Sequence, residues 1–446
     1  MRETLVKTEE FKDSLLGKIP KEWEVCRIEE KLERIIDYRG KTPEKTTSGV
    51  PLITAKNVRE GYLDPEPREY IDENDYDRWM TRGFPNPGDV LFTTEAPLGN
   101  VARVPIYKLA LAQRLLTLRA NSNELDAGYL FWILNWSDSC HRLEQKSTGS
   151  TVLGIKQSVF RKILFRFPPL PEQRYIAEIL NTIDSTIAHT SSLIAKLKQM
   201  KAGLLHDLLT RGLDENGELR DAIAHPEQFK DSPLGQIPKD WEIRPLTSLT
   251  QYITYGFTNP MPTTKDGPWM ITAFDIANGK ICYEQARHTS EKAYKNDLTQ
   301  KSKPNLGDIL ITKDGTLGRI AVVDRTDICI NQSVACLRPL PDTDIKFLVH
   351  YLSSEQGQER MLADAGGSTI KHIYITKLAE MEVPIPLKEE ARKIFTILDF
   401  HNTRIRAEEA YRDKLKLQKQ GLMQDLLTGK VRVKDADKFT SASDTV

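Results

Sequence analysis

The stretch FKDSLLGKIPKEWE (Phe11 to Glu24) returns as FKDSPLGQIPKDWE (Phe229 to Glu242), with eleven of fourteen positions identical and a shift of 218 residues. GDVLFTTEAPLGNVARV (Gly88 to Val104) lines up with GDILITKDGTLGRIAVV (Gly307 to Val323), and AQRLLTLRA (Ala112 to Ala120) with NQSVACLRP (Asn331 to Pro339), both at an offset of 219. GSTVLGI (Gly149 to Ile155) meets GSTIKHI (Gly367 to Ile373), and GLLHDLLTRG (Gly203 to Gly212) meets GLMQDLLTGK (Gly421 to Lys430), again at 218. Solenoid and propeller repeats run to roughly 20 to 50 residues, so this period belongs to a domain-sized unit. The chain is a tandem duplication, for which a pseudo-twofold arrangement is expected, as in homodimers.

Each half alternates between two regimes. Trp23 to Pro168 and Trp241 to Pro386 are rich in Gly, Pro and short apolar runs such as DVLFTT, LLTLRA, WMITAF and DILIT, which read as strands bounded by turns. Two helical stretches are interleaved, Asp126 to Gln145 and Ile345 to Ala365. The fold class is therefore α+β. The second regime follows a proline cluster, FPPLPEQ in one half and VPIPLKEE in the other, and prolines favour helix starts over helix interiors. Ile176, Leu180, Ile183, Ile187, Ile194, Leu197, Leu204 and Leu208 then recur at alternating spacings of four and three, with Thr190 and Lys201 filling the gaps, which makes a heptad seam. A helix of about 37 residues spans roughly 55 Å, too long for burial in one domain. The second seam is more polar: Ile394, Leu398, His401, Ile405, Glu408, Arg412, Leu415, Lys419, Leu422 and Leu426. Paired antiparallel with the first helix, its polar positions either mark register or face another protein.

The expected division is a first recognition module over 1–168, a helical spacer over 169–211, a polar, flexible linker over 212–228, a second module over 229–386, a second helical spacer over 387–430 and a flexible tail over 431–446. Lys and Arg number 63, as do Asp and Glu, so the net charge is zero and gives no global basic footprint for nucleic acid, although a local groove can still be basic. No apolar run reaches the roughly 18 residues of a membrane span and the amino terminus lacks the apolar core of a signal peptide, so a cytoplasmic location is expected. The five cysteines include no CxxC pair and read as reduced thiols.

Catalytic patterns fail one by one. RGKTP (Arg39 to Pro43) has the GKT of a phosphate-binding loop, but Ile35 stands where the first glycine belongs. FPNPGD and FTNPMP lack the second proline and aromatic residue of an adenine methyltransferase motif. PDTDIK (Pro341 to Lys346) imitates a nuclease's carboxylates and lysine, yet it sits in one turn without a counterpart lysine in the first half. What remains is two modules held on long helices, suited to recognition at two separated places.

The duplicated LGKIPKEWE, the strand-turn stretches GDVLFTTEAPLGN and GDILITKDGTLG, the GST loop, PPLPEQRYIAEIL, and GLLHDLLTRG with GLMQDLLTG together resemble the specificity subunit of type I restriction-modification enzymes. The resemblance spans nearly the whole chain. It implies two target-recognition domains separated by two long helices in an antiparallel coiled coil, each domain reading one half of a bipartite DNA sequence and the helices setting the unread spacer. It implies as partners double-stranded DNA, two adenine methyltransferase subunits and two ATP-driven motor and nuclease subunits. S-adenosylmethionine, ATP and magnesium would belong to those partners, and this chain would itself be non-catalytic. One departure stands out: the second half loses the Glu172 and Gln173 pair of PPLPEQ, so if that pair docks a methyltransferase the two docking sites are unequal. The competing readings are a duplicated protein-binding scaffold and a nuclease resting on PDTDIK.

Base reading needs side chains that reach base edges, whereas phosphate contacts give affinity and register. The candidates in the first module are Tyr38, Arg39, Lys41 and Thr42; Lys56 and Asn57; Thr94, Glu95 and Asn100; and Gln113 and Arg114. The second module offers Tyr255, Phe257, Thr258 and Asn259; Lys313, Asp314 and Thr316; and Asn331 and Gln332. Ser150, Thr151 and Lys156 in one glycine-rich loop, and Ser368, Thr369 and Lys371 in the other, suit phosphate oxygens. Trp23 and Trp241 read as core anchors.

Overall fold

All four residues of the strand Val90–Thr93 are buried, because successive side chains point to opposite faces and both faces are covered. In the computed structural model the described residues are 3–38, 40, 42–149, 152–363, 365–366 and 371–435, with side chains described between 5 and 433. Val90 and Phe92 join Leu116, Leu118 and Trp23 in one core, while Leu91 joins Ile36, Leu52 and Leu111 in another. The same split recurs in the second half, where Ile309 and Ile311 face Trp241 and Leu337, and Leu310 faces Ile271 and Cys336.

The chain divides into two units, residues 1–191 with 410–446 and residues 192–409. In the first, a four-stranded antiparallel sheet has the order Leu32–Asp37, Leu115–Ala120, Val90–Thr93, Val101–Arg103. Beside it lie three short strands, with Val50–Ile53 parallel to Ala110–Leu111 and antiparallel to Tyr70–Ile71. The second unit repeats both sheets: Thr250–Tyr255, Val334–Pro339, Ile309–Thr312 and Ile320–Val322, then Arg287–His288, Thr264–Ile271 and Ile328–Ile330. The GD dipeptides are explained by one buried ion pair repeated in both units. Asp89 binds Arg119 at 2.8 Å and Asp308 binds Arg338 at 2.7 Å, each aspartate also accepting a backbone N–H three residues back, from Asn86 or Asn305, at 2.8 Å.

The long helices run Leu170–Thr210 and Lys388–Thr428, 41 residues each. Of the expected seams, Ile176, Leu180, Thr190, Ile194, Leu197 and Leu208 are buried on the first, and Ile394, Leu398, Ile405, Leu415 and Leu426 on the second. The polar positions His401, Glu408, Arg412 and Lys419 are half-buried. Within the first unit Lys419 pairs with Asp184 and lies 4.8 Å from the Trp132 ring. Within the second, Lys198 pairs with Glu409 at 2.6 Å, while Leu208 and Leu209 pack in one cluster with Ala391, Ile394 and Leu398. Both sets of contacts run antiparallel.

A carboxylate one turn into each helix closes its unit. Glu172 accepts Trp23 Nε1 at 3.0 Å, Arg432 Nε at 2.9 Å, Arg432 Nη2 at 2.7 Å and Val433 N at 3.2 Å. Glu390, 218 residues on, accepts Trp241 Nε1 at 3.0 Å, Arg220 Nη1 at 2.6 Å and Leu213 N at 2.7 Å. In each case the arginine follows the end of the other long helix. Just beyond those helices Gly212 and Gly429 have φ of 62° and 74°, the left-handed conformation that glycine enters without strain. A Cβ on Gly212 would also lie 2.2 Å from Glu390 Oε1, and one on Gly429 2.4 Å from Pro20 Cγ.

Three expectations are corrected here. Glu172 is not lost from the second half, since Glu390 takes its place; only Gln173 is replaced, by Ala391. Nor do Glu172 and Gln173 face a docking partner. Gln173 is 1 % exposed and bonds Asp126 N, Glu124 O and Pro168 O, so both side chains are committed to their own unit. The flexible tail and linker both contain docked segments. Val431–Asp435 form a strand antiparallel to Glu3–Lys7, with Val433 buried, and Leu213 and Arg220 anchor the linker through Glu390. Their polar composition reflects an internal ion pair as much as solvent.

Removing one member of a buried ion pair leaves the other charge uncompensated, which costs about 3–5 kcal/mol. Glu172→Ala is expected to lower the unfolding transition of the first unit by that amount and Glu390→Ala that of the second, read by urea denaturation with tryptophan fluorescence.

Candidate nucleic-acid interface

Strand register brings the candidate loops together. Leu116 is opposite Asp37 and Leu115 opposite Thr93, so the loops after Asp37, after Thr93 and before Leu115 leave the same end of the sheet. The second unit repeats this, with Ala335 opposite Tyr255 and Val334 opposite Thr312.

In the first unit these loops line two adjoining hollows that share Gln113 and Arg114. One, of about 310 Å³, adds Thr42, Thr54 and Lys56; the other, of about 390 Å³, adds Glu95, Thr148 and Lys156. Gln113 Nε2 donates to Thr42 Oγ1 at 3.4 Å, and Arg114 Nε pairs with Glu95 Oε1 at 2.7 Å. Lys45 is neutralised by Glu69 at 2.8 Å. Lys56 and Lys156 are exposed and form no ion pair among the described residues.

Four sequence candidates in this unit turn inward. Tyr38 is 3 % exposed, its hydroxyl donating to Gly83 O at 2.9 Å and accepting from Arg82 N at 3.1 Å. Asn57 is 1 % exposed and holds its own turn, through Thr54 N at 3.0 Å and Asp64 O and Pro67 O at 3.1 Å. Thr94 is buried, and Asn100 Nδ2 donates to Val58 O at 2.8 Å. Short polar side chains in loops commonly satisfy nearby backbone, and composition does not separate that use from base reading. Arg39, Lys41, Ser150, Thr151, Ser368 and Thr369 lie outside the described residues.

In the second unit Tyr255 is exposed beneath two cations, Lys313 Nζ at 5.5 Å and Lys301 Nζ at 5.6 Å from its ring centre. Lys313 also pairs with Asp314 at 2.8 Å, and His372 Nδ1 meets the other Asp314 oxygen at 2.6 Å. Burial opposes ionisation of Asp314, but the bonds from Lys313 and His372 outweigh it and hold the carboxyl below its ordinary pKa. Thr258, Asn259, Thr316, Gln332 and Lys371 are exposed. Phe257 packs toward Met270, Leu298 and Cys329, and Asn331 Oδ1 accepts from Ser333 N and Oγ, so these two are turned inward.

His372, Lys301 and Phe274 stand beside these candidates without a sequence signal of their own. Phe274 is 84 % exposed on a turn that Thr272 and Asp275 clamp, just as Thr54 and Asn57 clamp the turn bearing Lys56. The offset of 218 maps Lys56 onto Phe274, so following the repeat through ITAKN and ITAFD would have found it. Asp344, from the nuclease-like PDTDIK, caps helix Ile345–Ser353 by accepting Phe347 N at 3.0 Å. Among the described residues no cluster of His, Cys, Asp and Glu could hold a metal ion, and no helix is long and apolar enough to cross a membrane.

The two units thus present cations, amides and an aromatic face at corresponding ends of duplicated sheets. The model of the type I restriction modification DNA specificity domain matches residues 20–199 and again 238–417, themselves 218 residues apart. The chain belongs to this family. It is similar over 441 residues to the type I restriction enzyme MjaVIII specificity subunit of Methanocaldococcus jannaschii, at 24% identity and covering 96% of this chain and 97% of the relative. To the EcoBI specificity subunit of Escherichia coli it is 29% identical over 263 residues, 56% of this chain and 54% of the relative. Among solved structures, the type I restriction-modification system S subunit from M. genitalium superposes with a TM-score of 0.53 at 15% identity, covering 91% of this chain and 96% of that one. A chain from a structure of the type I R-M system, concerned with complex assembly and conformational transition, gives 0.57 at 19% identity, with coverage of 93% and 99%. The protein is a type I specificity subunit with two tandem DNA specificity domains.

Unpaired surface lysines act on phosphates through counterion release, at a slope of about 0.9 per contact in log K against log salt. Lys56→Ala and Lys156→Ala are each expected to weaken DNA binding equally across sequences and to reduce that slope by about one, in salt-titrated binding assays.

Proposed function

We propose that each unit reads one half of a bipartite DNA target at the sheet end described above, and that the two long helices set the unread spacing between the halves. What carries this reading is the pairing of a repeated frame with unlike surface residues: the sheets, ion pairs and turn clamps recur, while Lys56 faces Phe274 in the alignment and Arg114 faces Ser333. A duplicated scaffold that read one sequence twice would have no need of such divergence.

The partners are two DNA adenine methyltransferase subunits docked through this chain, and two ATP-driven motor and nuclease subunits that complete the restriction enzyme. S-adenosylmethionine, ATP and magnesium belong to those partners, and the complex acts in the cytoplasm. This chain's own contribution is positional. Lysines and backbone donors hold the duplex in register, and amide, guanidinium and carboxylate groups then meet base edges in the major groove.

The test is methylation mapping by single-molecule sequencing in cells carrying the complete system, with the native chain and with one heptad deleted from each long helix. Seven residues shorten a helix by about 10 Å, the length of about three base pairs. The expected result is a bipartite motif whose spacer shortens by about three base pairs while its bases stay the same. Altered half-site bases at unchanged spacing would overturn the division of labour between units and helices.

A further inference from the structure

Arg114 is held at both ends. Its backbone is left-handed, with φ of 71°, a conformation uncommon outside glycine. Its carbonyl accepts Thr94 N at 3.0 Å, and its Nε pairs with the next residue, Glu95, at 2.7 Å. Two adjacent residues on the loop after Val90–Thr93 therefore hold the backbone and orient the side chain of one arginine. Glu95 is itself tied to the neighbouring loop by a bridge to Gly154. Backbone strain of this kind persists where surrounding structure over-determines it, often at functional sites.

The chemistry of the pair separates its use from that of its neighbours. An arginine and a glutamate in contact carry little net charge, so the pair attracts phosphate weakly; Lys56 and Lys156 supply the unpaired charge in the same hollows. What Arg114 retains is direction. Beyond this ion pair the guanidinium makes no side-chain hydrogen bond among the described residues, and the side chain is 52% exposed. A planar pair of parallel donors matches the O6 and N7 acceptors that guanine alone presents in the major groove. Thymine and adenine offer only one acceptor each there, and cytosine a donor.

We infer that Arg114, positioned by Glu95, reads a guanine in the half-site of the first unit. The inference rests on the proposed role of that unit as a reader of DNA sequence. The second unit has no equivalent. Its counterpart, Ser333, turns its hydroxyl inward, donating to Asn331 Oδ1 at 2.6 Å and accepting from Ala273 N at 2.9 Å. The guanine contact is thus a property of one half-site only.

The test uses the complex of this chain with its modification subunits and four duplexes that differ at one guanine of the first half-site, repeated for each guanine there. Asparagine tolerates the left-handed backbone, so Arg114→Asn removes the guanidinium without new strain. A lost bidentate pair corresponds to about tenfold to a hundredfold in base discrimination. The expected result is that Arg114→Asn lowers the preference for guanine by that factor at one position, leaves every other position of both half-sites as read before, and leaves the salt slope of binding unchanged. Glu95→Ala is expected to lower the same preference part of the way, and to add nothing in the Arg114→Asn background. Unchanged discrimination, a uniform loss of methylation on all four duplexes, or a first half-site without guanine would overturn the assignment of Arg114. Additive losses in the double variant would make Glu95 a scaffold residue and overturn its positioning role. If the native chain directs no methylation motif at all, the proposed reader function fails before this inference is reached.

Discussion

A buried carboxylate near the start of each long helix governs the architecture. Glu172 and Glu390 each hold a tryptophan from the recurring IPK-W stretch and an arginine from a distant part of the chain, Arg432 and Arg220. Burying such a pair is costly unless the geometry is good and the remaining lone pairs are filled, and here backbone N–H groups of Val433 and Leu213 fill them. Because each arginine lies beyond the end of the other helix, the first unit is built from both ends of the chain and the second from its middle, and the two helices must run antiparallel. Equal helix length follows from the same requirement, and both have 41 residues.

On this shared frame the units differ most at the sheet end. Asp89 with Arg119 and Asp308 with Arg338 keep the same sheet in the same shape. The residues at the sheet end differ in kind: an arginine–glutamate pair and two lysines without an ion pair among the described residues in one unit, an aromatic face under two cations and an exposed Phe274 in the other. A protein whose task is to read two unlike half-sites needs this combination of constancy below the surface and difference upon it. Zero net charge does not conflict with that task, since the charge relevant to DNA is local.

Much of the fold was legible because duplication doubles every signal. The heptad seam placed Ile176, Leu180, Leu398 and Leu426 in the interior, and the paired tryptophans sit fully buried. Polar residues were harder to read. Tyr38, Asn57, Thr94 and Asn100 occupy the loops proposed to carry recognition, yet each is turned into its own unit, and only geometry distinguishes an asparagine that clamps a turn from one that meets a base. The strand Val431–Asp435 was hidden for a related reason: its charged residues suggest solvent, whereas Arg432 is 7 % exposed against a carboxylate 260 residues away. Phe274 is legible only through its counterpart Lys56, whereas His372 stands opposite Gly154 in the repeat and is revealed only by its contact with Asp314.

The most direct test of the central claim is an exchange of modules. Residues 238–386 substituted for 20–168, with both long helices and the segments after them retained, keep Trp23, Glu172 and Arg432 in kind and give the first unit the reading surface of the second. Methylation mapping of cells carrying this chain and its partners is predicted to yield a motif in which both halves equal the original second half, at the original spacing. Persistence of the original first half would contradict the account, because base reading would then reside outside the modules.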